Sequence, residues 1–266
     1  MPLAVCATPI GNLEDVTLRL LAELRAADVV LCEDTRHTRG LLARHGIEAR
    51  LVSYHEHNEA ARTAELLPRL ESGERMALVT DAGLPGVSDP GARLVRAALD
   101  AGVEVTVLPG PSAVETALVA SGLVAERYQF VGFLPRGEKA LTDLWAEVRG
   151  WPWPVVAFES AQRLPASLRS LVAADLGRQV AVCRELTKRF EEVARGTAAE
   201  LAVRYAEPPK GEITLVVAAG RRAVDEAGAL AAVAELVEAG VARKRAAEVV
   251  ARLTGVARNR LYRGSL

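Results

Sequence analysis

Short apolar runs alternate along the chain with segments of helical periodicity, and this alternation constrains the fold more than any other feature. The first half contains four such runs, each ending in polar or turn residues, over residues 3–8, 28–34, 75–81 and 103–108. Between the runs, apolar residues recur at three- and four-residue spacing, as they do from Leu13 to Leu24. Buried parallel strands joined by crossover helices have this pattern, so we predict an α/β fold.

The alternation starts again after Gly122 and divides the chain into three parts. Strands are predicted over residues 128–133, 154–158, 179–184 and 213–218, with helices around residues 141–148, 164–174 and 198–205. We therefore predict two α/β domains, residues 1–122 and 123–220, each with its own sheet. Residues 221–266 are predicted to be a small helical segment, in which an alanine-rich helix is followed by a helix that Gly255 ends and by a second short helix.

Charge and composition exclude several classes of protein. The 33 Lys and Arg residues balance 34 Asp and Glu residues, which excludes binding of nucleic acid or anionic membrane through an overall positive field. Three cysteines lie far apart, so a disulfide or zinc framework is not expected and a reducing cytosol fits best. We find neither a membrane-spanning apolar run nor a basic signal sequence at the start, and we place the protein in the cytoplasm.

The near-neutral total conceals a basic C-terminal end. Residues 241–266 contain seven basic side chains and one acidic side chain, so residues 1–240 carry a net charge of −7. Two interpretations stay open. The segment is either an ordinary amphipathic surface helix or a small helix-turn-helix module that grips RNA or a partner subunit.

Four loops follow predicted strands, at the sheet edge where ligands of α/β proteins collect. They span residues 8–13, 33–39, 80–91 and 108–113 and are rich in proline, glycine and charged residues. The first loop has only Gly11, which disfavours a dinucleotide cofactor even though Glu33 and Asp34 follow about twenty residues later. In the second loop, Asp34 or Thr35 could also be a simple helix N-cap.

Eight motifs in a fixed order extend this pattern over most of the chain. They are TPIGNLEDVT (8–17), EDTRHT (33–38), HEHNE (55–59), SDPG (88–91), LPGPSA (108–113), GFLPR (132–136), RELTK (184–188) and KGE (210–212). In these motifs the chain resembles the tetrapyrrole methylase superfamily and, more narrowly, the ribosomal RNA small subunit methyltransferase I family. The resemblance implies two α/β domains with S-adenosylmethionine (SAM) in the cleft between them, usually in a homodimer. It also implies methylation of the ribose 2′-hydroxyl of a cytidine in the decoding region of 16S ribosomal RNA.

The resemblance further assigns the cofactor contacts by matching position. They come from the loops of the first domain and, in smaller number, from the second domain. The residues implied are Pro9, Asp81, Ala82, Gly83, Leu84, Val87, Ser112, Ala113, Glu159, Leu186 and Ile213.

A ribose hydroxyl is a poor nucleophile at neutral pH, so a base or strong hydrogen-bond acceptor is expected beside it. The candidates are Asp34, Asp81 and Glu185, with Lys188 and Lys210 as cations that could lower the pKa of the hydroxyl. Asp81 could equally well only hold its loop through backbone hydrogen bonds. Directed positive charge and hydroxyls at the same sheet edges suit RNA phosphates. The RNA contacts predicted on this ground are Thr35, Arg36, His37, Arg39, Arg136, Arg184 and Lys210.

Two further expectations concern histidines and aromatic residues. The motif His55-Glu56-His57 lacks a further Cys or His cluster to complete a metal shell, so we predict hydrogen bonding there and no metal. The aromatic residues Phe130, Phe133 and Phe158 lie on predicted strands and are expected in the core. A methylase of a tetrapyrrole or another small molecule is the alternative function, and a non-catalytic RNA-binding module is disfavoured by neutral charge and scarce aromatic residues.

Overall fold

The computed structural model describes residues 2–220 and 226–264, which form two compact units. The first unit comprises Met1–Val148 and Trp153–Ala219 and contains both sheets. The second comprises Arg149–Pro152 and Gly220–Leu266. Among the described residues, no helix combines the length and apolar character needed to cross a bilayer.

Five parallel strands form the first sheet, in the order β3-β2-β4-β1-β5. The strands are β1 (Leu3–Cys6), β2 (Val29–Cys32), β3 (Leu51–Ser53), β4 (Met76–Leu78) and β5 (Val105–Leu108). The helices that alternate with them are α1 (Leu18–Ala26), α2 (Thr35–Arg44), α3 (Glu59–Glu71), α4 (Ala92–Asp100) and α5 (Ala113–Ser121).

Burial on both faces explains why this sheet could be predicted. Every residue of β1, β2 and β4 is buried, because alternate side chains enter the two apolar clusters that helices cover. The prediction of parallel strands with crossover helices is confirmed. We did not predict β3, whose three residues are only half-buried and too few to give an apolar run.

The second sheet is mixed, in the order β6-β7-β10-β8-β9. Only β6 and β7 are parallel, and the other three pairs are antiparallel. Its strands are β6 (Gln129–Phe133), β7 (Val155–Ser160), β8 (Gln179–Arg184), β9 (Glu192–Thr197) and β10 (Glu212–Val217), with helices α6 (Glu138–Val148), α7 (Leu164–Asp175) and α8 (Ala198–Arg204). We did not predict β9, a partly exposed edge strand in which polar residues interrupt the apolar pattern.

Three helices make up most of the second unit: α9 (Glu226–Glu238), α10 (Arg243–Thr254) and α11 (Arg258–Gly264). A small apolar core that includes Val233, Ala246 and Leu261 holds them together. Gly255 ends α10 in the left-handed conformation, with a φ of 76°, as predicted from the sequence. The first residues of the predicted alanine-rich helix, 223–225, lie outside the described residues.

Candidate functional site

A cavity of about 880 Å³ opens in the first unit, at the ends of strands from both sheets. Loops that follow β1, β2, β4 and β5 line it on one side, and residues of β6, β7, β8 and β10 line it on the other. The structure brings ten of the eleven predicted cofactor contacts to this cavity: Asp81, Ala82, Gly83, Leu84, Val87, Ser112, Ala113, Glu159, Leu186 and Ile213.

The loop after β1 is fastened to the loop after β4. Thr8 and Gly83 exchange two backbone hydrogen bonds of 2.9 and 3.1 Å, and the Thr8 hydroxyl donates to the carbonyl of Thr80 at 3.0 Å. Gly83 has a φ of 81°, a conformation that favours glycine. Pro9, the eleventh predicted contact, lies outside the large cavity and lines a small depression together with Thr8 and His37.

The loop after β1 also contacts the RELTK segment (184–188) of the second sheet. The backbone N–H of Asn12 donates to Oγ1 of Thr187 at 3.0 Å. A Cβ on Gly11 would lie 2.9 Å from the carbonyl oxygen of Leu186, so only glycine permits this close approach. Glu185 and Thr187 have positive φ values of 52° and 65°, which are strained for residues with a side chain. The structure thus stores local backbone strain where the two sheets' loops join beside the cavity.

A three-residue clamp holds the RELTK segment in place. Nζ of Lys188 donates to Oε1 of Glu185 at 3.0 Å and to Oε2 of Glu212 at 2.9 Å, and the backbone N–H of Glu212 donates to the same Oε1 of Glu185 at 2.9 Å. The backbone N–H of Glu212, followed by Lys188, lowers the pKa of Glu185. Glu212 lines the cavity, whereas Glu185 and Lys188 do not. This placement suits a positioning role for the two predicted catalytic residues.

Three carboxylates line the cavity at the ends of β2 and β4: Glu33, Asp81 and Asp89. Burial, followed by repulsion from Asp81, raises the pKa of Glu33. Burial, followed by repulsion from Glu33 and Asp81, raises the pKa of Asp89 to about 7. We did not select Glu33 or Asp89 from the sequence, although both lie within motifs, because nothing local shows that they converge on Asp81.

Asp81 connects two of the loops. Its Oδ1 accepts a hydrogen bond of 3.1 Å from the backbone N–H of Asp34, and within residues 2–220 and 226–264 no donor reaches its Oδ2. The carboxylate therefore holds the end of β2 through Oδ1. Its Oδ2 is not engaged by any described residue, and Asp81 is one of the residues that line the cavity. Both interpretations of Asp81, as a base and as a loop support, are compatible with this geometry.

Asp34 is the N-cap of α2 and does not line the cavity. Its Oδ1 accepts from the backbone N–H of Arg36 at 2.8 Å, and its Oδ2 lies 2.7 Å from the Arg36 guanidinium. The hydrogen bond to the Arg36 side chain holds the pKa of Asp34 well below its usual range. The N-cap interpretation is therefore confirmed for Asp34.

The predicted RNA contacts lie around the cavity and not in its lining. Arg136 and Lys210 are exposed, and Lys210 precedes Gly211, a lining residue. Arg184 pairs with Glu192 at 2.8 Å. The remaining predicted contacts are in the first turns of α2: Thr35, Arg36, His37 and Arg39.

The HEHNE segment follows β3 at the same sheet edge. The backbone N–H of His55 donates to Oδ1 of Asn58 at 2.9 Å, and Nε2 of His55 lies 3.2 Å from the Asn58 amide nitrogen. The first histidine is therefore engaged within its own loop. In the described ranges, no group of three or more His, Cys, Asp or Glu side chains is arranged to hold a metal ion.

Comparison with known proteins identifies the family. The family model of the Tetrapyrrole (Corrin/Porphyrin) Methylases matches residues 2–202. A ribosomal RNA small subunit methyltransferase I of Mesorhizobium japonicum is 45% identical over 265 residues, covering 98% of this chain and 90% of that protein. This chain belongs to the ribosomal RNA small subunit methyltransferase I family. The member from Escherichia coli O157:H7 is 42% identical, and the match covers 99% of this chain and 94% of that protein. The member from Mycobacterium tuberculosis is 47% identical, and the match covers 96% of this chain and 91% of that protein.

Solved structures show that this family member has the tetrapyrrole methylase fold. A diphthine synthase superposes with a TM-score of 0.59 at 16% identity, over 82% of this chain and 89% of that one. The uroporphyrin-III C-methyltransferase of Thermus thermophilus, solved with S-adenosyl homocysteine, superposes with a TM-score of 0.55 at 20% identity, over 80% and 95% of the two chains. The predicted fold class is confirmed.

One expectation about the aromatic residues is wrong for this methyltransferase family member. Phe130 and Phe158 are half-buried and pack on the apolar cluster of the second sheet, but Phe133 is 60% exposed. All three rings line the cavity. An irregularity in β6 keeps Phe133 on the same face of the sheet as Phe130, and at the end of the strand its ring lines the cavity without entering the core.

The protonation of Asp89 gives a prediction about stability. Because the folded-state pKa, about 7, exceeds the ordinary value of about 3.9, the folded chain binds the Asp89 proton more tightly than the unfolded chain. Stability is therefore lost as the pH rises between these values. Above pH 7, we expect the free energy of unfolding of Asp89→Asn to exceed that of the wild type by up to about 1 kcal/mol, allowing for solvent screening. This corresponds to about 2–4 °C in Tm. Thermal melts without cofactor at pH 5 and pH 8.5 should show that the difference in Tm between Asp89→Asn and the wild type widens with pH. An equal difference in Tm at both pH values would contradict the raised pKa of Asp89.

Proposed function

We propose that this protein transfers a methyl group from SAM to the ribose 2′-hydroxyl of a cytidine in the decoding region of 16S ribosomal RNA. The observation that carries the proposal is identity of 42–47% over nearly the whole chain to proteins named for methylation of small-subunit ribosomal RNA. The motif resemblance supplies the finer details, namely the cytidine and its 2′-hydroxyl. We also propose action in the cytoplasm, as a homodimer, on RNA within the small ribosomal subunit.

The lining of the cavity suits SAM. Its volume, about 880 Å³, lies within the range of about 300–1,000 Å³ typical of small-molecule sites. SAM carries a sulfonium and an ammonium group, and the carboxylates of Glu33, Asp81 and Asp89 supply the opposite charge. Apolar residues such as Leu84 and Phe130 give the walls on which an adenosine can pack. A structural neighbour solved with S-adenosyl homocysteine supports the same assignment.

When bound, SAM supplies a methyl group that its sulfonium has already activated. The protein then has to align the acceptor oxygen, exclude water and take up the hydroxyl proton. We assign the proton to Oδ2 of Asp81, because Oδ1 is already engaged by Asp34 and the residue lines the cavity. With SAM bound, the hydroxyl oxygen would form its bond to the methyl carbon as the methyl–sulfur bond breaks, the electron pair staying on sulfur, and the hydroxyl proton would move to this carboxylate. Asp34 and the pair of Glu185 and Lys188 support the loops around it.

The second unit offers additional contacts for RNA phosphates. Exposed basic side chains of α10 and α11 include Lys244, Arg252 and Arg263. Two other arginines make wide ion pairs within the unit, Arg258 with Glu248 at 3.8 Å and Arg260 with Glu226 at 3.3 Å. This concentration of charge favours the RNA-gripping interpretation of the C-terminal segment, since backbone binding depends on local positive charge.

Neutralising this charge should weaken RNA binding without affecting the cofactor. The triple variant Lys244→Gln, Arg252→Gln, Arg263→Gln is expected to lower affinity for the RNA substrate and to reduce the slope of log K against log salt by about 0.7–0.9 per lost contact. Binding titrations at several salt concentrations measure this slope. Arg96→Gln, an exposed arginine of α4 that pairs with Asp100, is the matched control. Unchanged RNA affinity with an altered oligomeric state would instead assign the segment to a partner subunit.

The activity itself is tested with tritiated SAM. Purified wild-type protein is incubated with small ribosomal subunits, with naked 16S RNA and with uroporphyrinogen, and the labelled product is isolated. We expect label on the ribose of a cytidine in the ribosomal RNA. Label only on the porphyrinogen would establish the alternative, a small-molecule methylase on this fold. Failure to bind SAM in calorimetry would exclude the proposed enzyme class.

A further inference from the structure

Phe133 is an exposed aromatic side chain in the lining of the cavity. It is 60% exposed, whereas the neighbouring rings of Phe130 and Phe158 are half-buried. Large apolar side chains at a solvent-open position lose the benefit of burial unless something covers them. Phe133 is distinguished by its place in the cavity lining, where a ligand can cover a ring that the core of the second sheet does not bury.

A bulge in β6 places this ring on the cavity side of the sheet. Phe130 pairs with Val156, but Phe133 pairs with Phe158, so three steps along β6 match two steps along β7. Because successive side chains alternate between faces, the extra residue returns Phe133 to the face of Phe130. Gly132, with a φ of 70°, provides the backbone conformation at the bulge. Without the bulge, Phe133 would point to the opposite face.

The backbone after the bulge is firmly held. Leu134 is buried, and its N–H donates to the carbonyl of Phe158 at 3.0 Å. Nη2 of Arg163 donates to the carbonyls of Leu134 and Pro135 at 2.9 and 2.6 Å. The ring of Phe133 meets that of Phe158 edge to face, with centroids 5.5 Å apart. One face of a positioned ring is thus offered to an incoming group.

We propose that Phe133 is a stacking surface for the unpaired nucleobase of the nucleotide that is methylated, an inference that rests on the proposed RNA substrate. Proteins that recognise single-stranded segments of RNA stack the unpaired bases on aromatic side chains, which compensates for the lost base stacking. Tyr128, 38% exposed and also in the lining, extends the aromatic wall. Stacking tolerates any base, so Phe133 contributes affinity and position and does not select the cytidine.

The test compares Phe133→Leu with Phe133→Tyr in steady-state methylation of small ribosomal subunits. Leucine keeps apolar volume but has no ring, so we expect KM for the subunits to rise about ten- to hundredfold. Phe133→Tyr keeps the ring, so its KM should stay close to the wild-type value. The affinity for SAM measured by calorimetry should equal the wild-type value in both variants. Phe190→Leu is the matched control, because Phe190 is 66% exposed and lies outside the cavity lining. We expect the KM of Phe190→Leu for the subunits to equal the wild-type value.

Three results would overturn the proposal. If Phe133→Leu lost affinity for SAM by the same factor as its KM for the subunits rises, the ring would belong to the wall of the cofactor site. A changed oligomeric state in size-exclusion chromatography would make it a subunit contact. Wild-type KM with normal folding would show that the ring has no role in substrate binding. If the wild-type protein itself fails to label ribosomal RNA, the proposed function fails, and this outcome is distinct from all three.

Discussion

Replacing Asp81 with asparagine is expected to lower the rate constant of methyl transfer by about 10²–10⁴-fold, the usual contribution of a general base. Asparagine retains an oxygen that can accept the 3.1 Å hydrogen bond from the backbone N–H of Asp34, so the loop connection survives. What disappears is the carboxylate oxygen that we propose as the base, in a residue that lines the cavity. Single-turnover methylation with saturating SAM and RNA measures this loss directly, with cofactor affinity determined separately by calorimetry.

The matched variant Asp81→Ala separates the two roles of this residue. Alanine removes both the base and the acceptor for the Asp34 N–H, so it should lose activity to a similar degree and also lower the Tm. If Asp81→Asn binds SAM and RNA and turns over at the wild-type rate while Asp81→Ala is impaired, Asp81 only supports its loop. In that case Glu33 and Asp89, which line the cavity beside Asp81, become the candidates for the base.

Gly211→Ala is expected to lower the free energy of unfolding by about 2–5 kcal/mol and to weaken SAM binding. Gly211 has a φ of 100°, which is strained for any residue with a Cβ. The added Cβ would also lie 2.4 Å from Cγ of Glu185. Glu185 cannot retreat easily, because its Oε1 accepts from both Lys188 and the backbone of Glu212. Denaturant unfolding gives the stability, and calorimetry gives the SAM affinity.

The control for this substitution is Gly137→Ala. Gly137 is exposed, a Cβ added there would meet no heavy atom within 4 Å, and its φ lies outside the left-handed region. Its replacement should change stability by no more than about 0.5 kcal/mol. If Gly211→Ala and Gly137→Ala changed the free energy of unfolding by comparable amounts, the prediction would be wrong. The side chain of Glu185 would then move aside without loss of stability, and the positive φ at Gly211 would not require glycine.

The strand pattern of the first half followed directly from local sequence. Strands β1, β2 and β4 are buried on both faces, so each appears as a short apolar run ending in polar residues. The N-cap at Asp34 and the end of α10 at Gly255 could also be predicted, because capping involves only neighbouring residues. Strands β3 and β9 were missed because partial exposure leaves their residues without a clear apolar pattern.

The sequence by itself determined the family, through eight ordered motifs, and it named ten of the residues that line the cavity. The tertiary structure decided how those residues are grouped. Glu33 and Asp81 converge because β2 and β4 are neighbours in the first sheet, although residues 33 to 75 separate these strands in the chain. Lys188 is committed to Glu185 and Glu212, a pairing that no spacing in the sequence indicates.

The face on which Phe133 lies depends on a single extra residue in β6, which is set by the register against β7. Apolar runs and caps depend on interactions within a few residues, and the sequence records them directly. Strand order, register and the meeting of charged side chains depend on which distant segments pack together. Long-range burial of the whole chain determines that packing, and for this reason only the tertiary structure shows the acidic cavity and the exposed ring beside it.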